Sequence, residues 1–397
     1  MSLSNIENAI RTNNMELFNL ELNNLNDINL QNTKIKSLLM YAISYDNIEM
    51  AERLLIHGID TSIYDNNFKM IKLVKLRGWD LNIKDKKGES CLHWSVNHNK
   101  LDTFKFLIKL GADLNCTDND DRTVLSNIVF YNRYDMLEFI INHGFDLNNK
   151  DNLGKTILHY IFACRSLPCL HLYNMAKLVL AHLPDPNIQD KYGNTPLMCA
   201  VMERNNKIEL LELLLKYGAN PNIQNNQNSN ILHYVMWSFD IDIINIFLKY
   251  GANPNIQNFA NHYPLYIAAV NNNLNAVKIL LTYIGNVQND LNQIINSQNT
   301  TYNDGETMLH HAVHHNNLTM VELILKYGGD PNIQNNKGET SLHLAILKLK
   351  CKKNNKTLSN DISITNMIIN LLLSYGANAD IKNKKGKTAS DCLKIKK

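Results

Sequence analysis

Apolar residues fall along this chain in short stretches of helical spacing, not in the alternating pattern of half-buried strands. Between Ile208 and Lys216, Leu210, Leu211, Leu213, Leu214 and Leu215 form a broad apolar face. Gly218 then stands where helices commonly end in left-handed backbone, and Asn220-Pro221-Asn222 begins a polar turn. Upstream, Thr195 is a good N-cap for an apolar run, and Pro196 suits its first helical turn. The pattern predicts two short helices and a turn. One such pair cannot bury its apolar face alone, so neighbours must stack.

The unit recurs. Leu214-Leu215-Lys216-Tyr217-Gly218-Ala219-Asn220-Pro221-Asn222-Ile223-Gln224-Asn225 returns 33 residues later as Phe247 to Asn258, and again from Leu325 to Asn335. Following the place of Asn222 gives Asn29, Ser62, Asn82, Asn115, Asn148, Asn187, Asn222, Asn255, Gln288, Asn332 and Asp380. Five of the ten steps are 33 residues, one is only 20, and four are longer. Each unit also opens alike: Gly88-Glu89-Ser90-Cys91-Leu92-His93 returns as Gly154 to His159, Gly305 to His310 and Gly338 to His343, with Gly193-Asn194-Thr195-Pro196-Leu197 between.

The 33-residue period and the G-x-T-x-L-H openings resemble ankyrin repeats over nearly the whole chain. The resemblance implies an all-α ankyrin-repeat solenoid of about ten full or partial helix pairs, curved, with turn fingers on one side. Residues 1–33 read as a degenerate N-terminal capping repeat and 34–383 as the array. Its units are 34–65, a partial 66–85 lacking its first helix, 86–118, 119–151, 152–190, 191–225, 226–258, 259–302, 303–335 and 336–383. Residues 384–397 read as a C-terminal capping half-repeat. Insertions near 165–171, 285–302 and 350–364 are expected to form loops.

Composition alters this picture little. Asn supplies 62 of the 397 residues, with abundant Lys and Ile. The Asn residues fall at fixed places among periodic apolar positions, so they read as solvated turn and helix-end residues. This bias resembles that of ankyrin proteins encoded by giant DNA viruses, which implies a viral protein acting on a host partner. Net charge is only +3, which gives no global pull toward nucleic acid or anionic membrane. Seven Cys without a CxxC pair argue for a reducing compartment. The opening MSLSNIENAI has no basic and apolar signal regions, and no apolar run approaches the roughly 18 residues of a membrane span. An intracellular, cytoplasmic monomer is the expectation.

Candidate chemistry is sparse. His310, His311, His314 and His315 contain two i, i+4 pairs, a spacing that metal ligands use on helices. No Cys, Asp or Glu directly adjoins them, and His310 holds the structural T-x-L-H place. Cys164, Cys169 and His171, with His159 or His182, are spaced irregularly. No phosphate-binding loop or nucleophile elbow is present. The sequence therefore assigns no catalytic, cofactor-binding or metal residue. Lys348, Lys350, Lys352, Lys353, Lys356, Lys382, Lys384, Lys385 and Lys387 make the C-terminal part basic, interrupted by Asp361, Asp380 and Asp391. A nucleic-acid or nuclear-import factor is the alternative this region offers.

The expected function is that of a protein–protein interaction scaffold or adaptor working through the concave ankyrin surface. At the position of Asn97, which the family turns toward that surface, successive units carry Asn97, Phe130, Ala163, Met202, Trp237, Val270, His314 and Leu347. Five apolar residues in succession predict a partner-binding stripe of Phe130, Met202, Trp237 and Val270, flanked by Tyr131 and Phe239.

Overall fold

The computed structural model describes residues 3–23, 47, 50, 53, 82, 84–85, 87–202, 208–237, 240–287, 291–298, 305–354 and 359–393. Most of units 34–65 and 66–85, including the expected missing helix, lies outside the described residues, as do Gln288 and Phe239. Two compact units divide the chain, Met1–Lys191 and Tyr192–Lys397.

In the first unit, α1 (Leu3–Arg11) and α2 (Met15–Asn23) pack together as a helix pair. Ile6, Ala9, Ile10 and Phe18 are buried in it. Three further pairs follow: α3 (Cys91–Asn97) with α4 (Leu101–Leu110), α5 (Val124–Phe130) with α6 (Tyr134–Asn142), and α7 (Ile157–Ala163) with α8 (Cys169–Leu180). First helices pack on first helices and second on second, which makes two layers.

The second unit repeats this plan. Its first-layer helices are α9 (Pro196–Met202), α11 (Ile231–Val235), α13 (Pro264–Val270), α16 (Met308–His314) and α18 (Ser341–Asn354). Its second layer is α10 (Ile208–Lys216), α12 (Ile241–Lys249), α14 (Leu274–Val287), α17 (Leu318–Lys326) and α19 (Ser359–Ser374). A short α15 (Leu291–Ile295) follows α14, and a 3-10 turn at Ser390–Leu393 ends the described chain. Leu210, Leu211, Leu213, Leu214 and Leu215 are buried, as the periodicity predicts.

The insertions depart from expectation. Of the three, 165–171 provides a loop and the start of α8, whereas 350–364 mainly lengthens helices: α18 and α19 span 14 and 16 residues. Around 285–302, α14 runs to Val287 and α15 is added. Ile294 and Ile295 are buried, so apolar residues in this insertion extend the packed layers.

Polar residues fix the spacing between repeats. In seven of the described fingers an Asp or Asn side chain accepts two backbone N–H groups, as Asp85 does from Lys87 and Glu89, and Asn335 from Lys337 and Glu339. Adjacent fingers are joined by backbone bonds, among them Asn119 to Lys87 and Asn226 to Tyr192. Asn222 receives a bond from the N–H of Asn253 (2.6 Å) and donates to the carbonyl of Gly251 (2.8 Å). Asn332 does the same with Asn378 and Gly376. In the repeat assigned to Gln288 by count, Asn296 makes these bonds, to Asp330 and Gly328.

Candidate functional site

The T-x-L-H histidines are built into the frame. In α3, α7, α11, α16 and α18 the imidazole Nδ1 accepts from the N-cap backbone N–H at 3.0–3.2 Å. Nδ1 is therefore unprotonated, and Nε2 carries the hydrogen. It donates to the next finger: His93 to the carbonyl of Arg122, His233 to His262, His310 to Glu339 and His343 to Lys387. Burial holds His93 and His310 below the ordinary imidazole range and pushes His233 down to about 4. In the unit from 259, Tyr266 takes the histidine place, and its hydroxyl reaches the carbonyl of Glu306 (3.4 Å) and Nε2 of His311 (2.8 Å).

The four adjacent histidines thus have three different roles. His310 is structural, and His315 Nε2 binds the carbonyl of Val270 at 2.8 Å. His311 and His314 turn instead to Glu306, with Nε2 3.8 Å from Oε2 and 3.0 Å from Oε1 respectively. The sequence spacing pointed to i, i+4 pairs and to no neighbouring carboxylate. In the fold an i, i+3 pair meets a Glu from the preceding finger. Burial raises the Glu306 carboxyl, but the His314 hydrogen bond and the nearby imidazoles outweigh it and hold it below the usual carboxylate range. Among the described residues no group of three His, Cys, Asp or Glu is arranged to hold a metal ion. Cys164 lies beside Ser166, at 3.3 Å between Sγ and Oγ.

The predicted stripe residues are placed at or just past the ends of first-layer helices. In the first unit Phe130 is 54% exposed and its ring meets Tyr131 edge to face at 5.0 Å. Arg133 lies over the Tyr131 ring and is anchored by bonds to the carbonyls of Val96 and Asn97. In the second unit Met202 is exposed and Val270 half-buried. Trp237 is 69% exposed. These side chains do not fold back into the core.

Trp237 and Val270 share a cavity of about 620 Å³ with Tyr234, His262, Tyr266 and His311. It lies beside α11, which spans five residues where α9, α13 and α16 span seven, so that Trp237 stands two residues past the helix end. Amides of Gln227, Asn258 and Asn271 complete the rim, and no Asp, Glu, Lys or Arg lines it. Tyr234, Tyr266 and His262 were not singled out in the sequence, because their place depends on the contact between successive units, nor was Glu306, which meets His314 within its own unit.

Two lysines of the basic C-terminal region serve as helix caps. Lys348 donates to the carbonyl of His314, and Lys350 to that of Cys392 at 2.9 Å. No described helix is long and apolar enough to cross a membrane.

Comparison with known proteins agrees with this architecture. The sequence profile described as "Ankyrin repeats (3 copies)" matches in overlapping segments from residue 6 to residue 367. A protein of fowlpox virus (strain NVSL) described as an ankyrin repeat protein is 28% identical over 107 residues, which cover 24% of this chain and 26% of the viral one. Among solved structures, the ankyrin repeat domain of Bcl-3, of the IkappaB family, aligns at 21% identity and a TM-score of 0.46, over 61% of this chain and 95% of that one. Ankyrin repeats are protein-interaction modules, and the stacked helix pairs, repeating fingers and buried T-x-L-H histidines all stand within the profile match. This chain belongs to the ankyrin repeat family.

Proposed function

We propose that the protein is an interaction scaffold that captures a partner protein on the groove side of its first-layer helices. Phe130 and Tyr131 contact the partner from the first unit, and Met202, Trp237 and Val270 from the second. Phe239 is kept from its sequence position alone. The observation that carries this reading is Trp237, an indole 69% exposed at the mouth of a cavity. A solvated apolar surface of this kind is costly unless something covers it, and Trp is the residue most enriched at binding hot spots.

The protein works in this reading as an intracellular monomer without catalysis, and as a viral adaptor on a host protein. The Asn-rich composition and the stretch of likeness to the fowlpox protein support the viral part. Affinity capture from host-cell lysate with mass spectrometry identifies the partner. Against that partner, Trp237→Ala is expected to weaken binding by about 2 kcal/mol or more. Unchanged affinity in the Trp237→Ala, Phe130→Ala double variant would remove these residues from the interface.

A further inference from the structure

We propose that the cavity between α11 and α13 takes a cationic side chain, arginine or lysine, from an extended segment of the partner protein. This rests on the groove being the partner surface and adds the chemistry that the partner presents there. Three observations converge on it.

The walls are aromatic. Trp237 and Tyr234 contribute rings, and His262 stacks on the buried Tyr266 with centroids 4.6 Å apart. Ring faces are the negative end of the aromatic quadrupole, so they attract cations and repel anions. Tyr234 is held in place by the side-chain amide of Asn225 at 2.6 Å, and Tyr266 by His311 at 2.8 Å, so both rings are set before a ligand arrives.

A carboxylate stands directly behind one wall. His311 lines the cavity, and its Nε2 is 3.8 Å from Oε2 of Glu306. The Glu306 side chain is only 13% exposed. Among the described residues no Lys or Arg forms an ion pair with it; its neighbours are His310, His311 and His314. Burial keeps His310 and His311 neutral at physiological pH. Glu306 is held ionised behind His311, so its negative field reaches the cavity wall and favours an incoming cation.

The lining holds no Asp, Glu, Lys or Arg. An entering guanidinium or ammonium group therefore meets no Lys or Arg there, and the rim amides of Gln227 and Asn271 offer carbonyl oxygens to its N–H donors. An acidic side chain would face both the ring quadrupoles and Glu306. A neutral one would fill space and leave the carboxylate as it was. The field thus selects positive charge.

The test uses the full chain, 15N-labelled, and follows the Trp237 indole resonance, assigned by its loss in Trp237→Phe. The probes are the capped peptide Gly-Gly-Arg-Gly-Gly and its citrulline and leucine counterparts. The arginine peptide is expected to shift this resonance with an affinity about threefold to fivefold above the other two. Glu306→Gln, which keeps an acceptor for His314, is expected to bring arginine down to the citrulline level. The arginine–citrulline contrast in the unaltered protein needs no variant and stands even if Glu306→Gln folds poorly. Equal binding of the three peptides, unchanged arginine binding in a folded Glu306→Gln protein, or no shift up to about 20 mM peptide overturns the proposal. If Trp237→Ala still loses the captured partner in that case, the interaction surface stands and only its preference for a cation falls.

Discussion

Gly193 and Gly218 stand at places that most units fill with glycine, yet they answer to different constraints. Both have left-handed backbone, with φ of +78° and +90°. Around Gly218 an added Cβ would meet nothing within 4 Å, whereas at Gly193 it would lie 2.7 Å from the backbone N of Asn226 in the next finger. Gly218→Ala is therefore expected to cost about 1 kcal/mol, the strain of the left-handed region alone. Gly193→Ala adds a backbone clash that relaxes only by parting two fingers, so it should lower the melting temperature clearly more. Equal shifts in thermal melts would refute the distinction. His233 gives the other residue-level expectation. Its imidazole is neutral in the fold, at about 4, against an ordinary value of 6.5 when unfolded. The unfolded chain binds the extra proton first, so stability is complete above pH 6.5 and is lost as pH falls toward 4. This single group contributes on the order of 3 kcal/mol. Melting followed from pH 7 to pH 4 should show the loss, and His233→Gln should flatten that part of the profile.

At the scale of elements, the asparagines that composition alone reads as solvated turn residues prove to be the links between repeats. Asn222 both accepts from and donates to the following unit, which neither Asp nor Ala can do. Asn222→Ala is expected to cost about 1–2 kcal/mol, more than loss of a surface side chain, and Asn222→Asp should also destabilise because it loses the donor to Gly251. Urea melts of the two variants measure this. The helices themselves were legible in the sequence: leucines at helical spacing, a Thr before the first turn and a Gly after the last each state a local preference. The length of α11 was not. Its opening, Asn230-Ile231-Leu232-His233, is ordinary, yet it ends at Val235. The cavity and the exposed Trp237 lie beside that end.

For the molecule as a whole, a stack held by nearest neighbours should lose stability locally. Phe247 is fully buried in α12, which packs on α10 and α14. Phe247→Ala should cost about 3–5 kcal/mol, with hydrogen-exchange protection lost most in α10 to α14 and least in α18 and α19. Uniform loss across the second unit would show tighter coupling than the stacking implies. The amino-acid pattern by itself determined the family, the repeat period and the buried faces, because each follows from local spacing and caps that every unit writes out again. It also marked Phe130, Met202 and Trp237, by their place in the repeat. Only the tertiary structure decided that Glu306 meets His311 and His314, that Tyr266 replaces a histidine bond, and that an aromatic cavity opens beside Trp237. The first is a contact within one unit, eight residues apart for Glu306 and His314; the others depend on how side chains of successive units meet across the stack, 45 residues apart for Tyr266 and His311, and a repeat pattern fixes where a side chain stands in its own unit but not what it meets in the next.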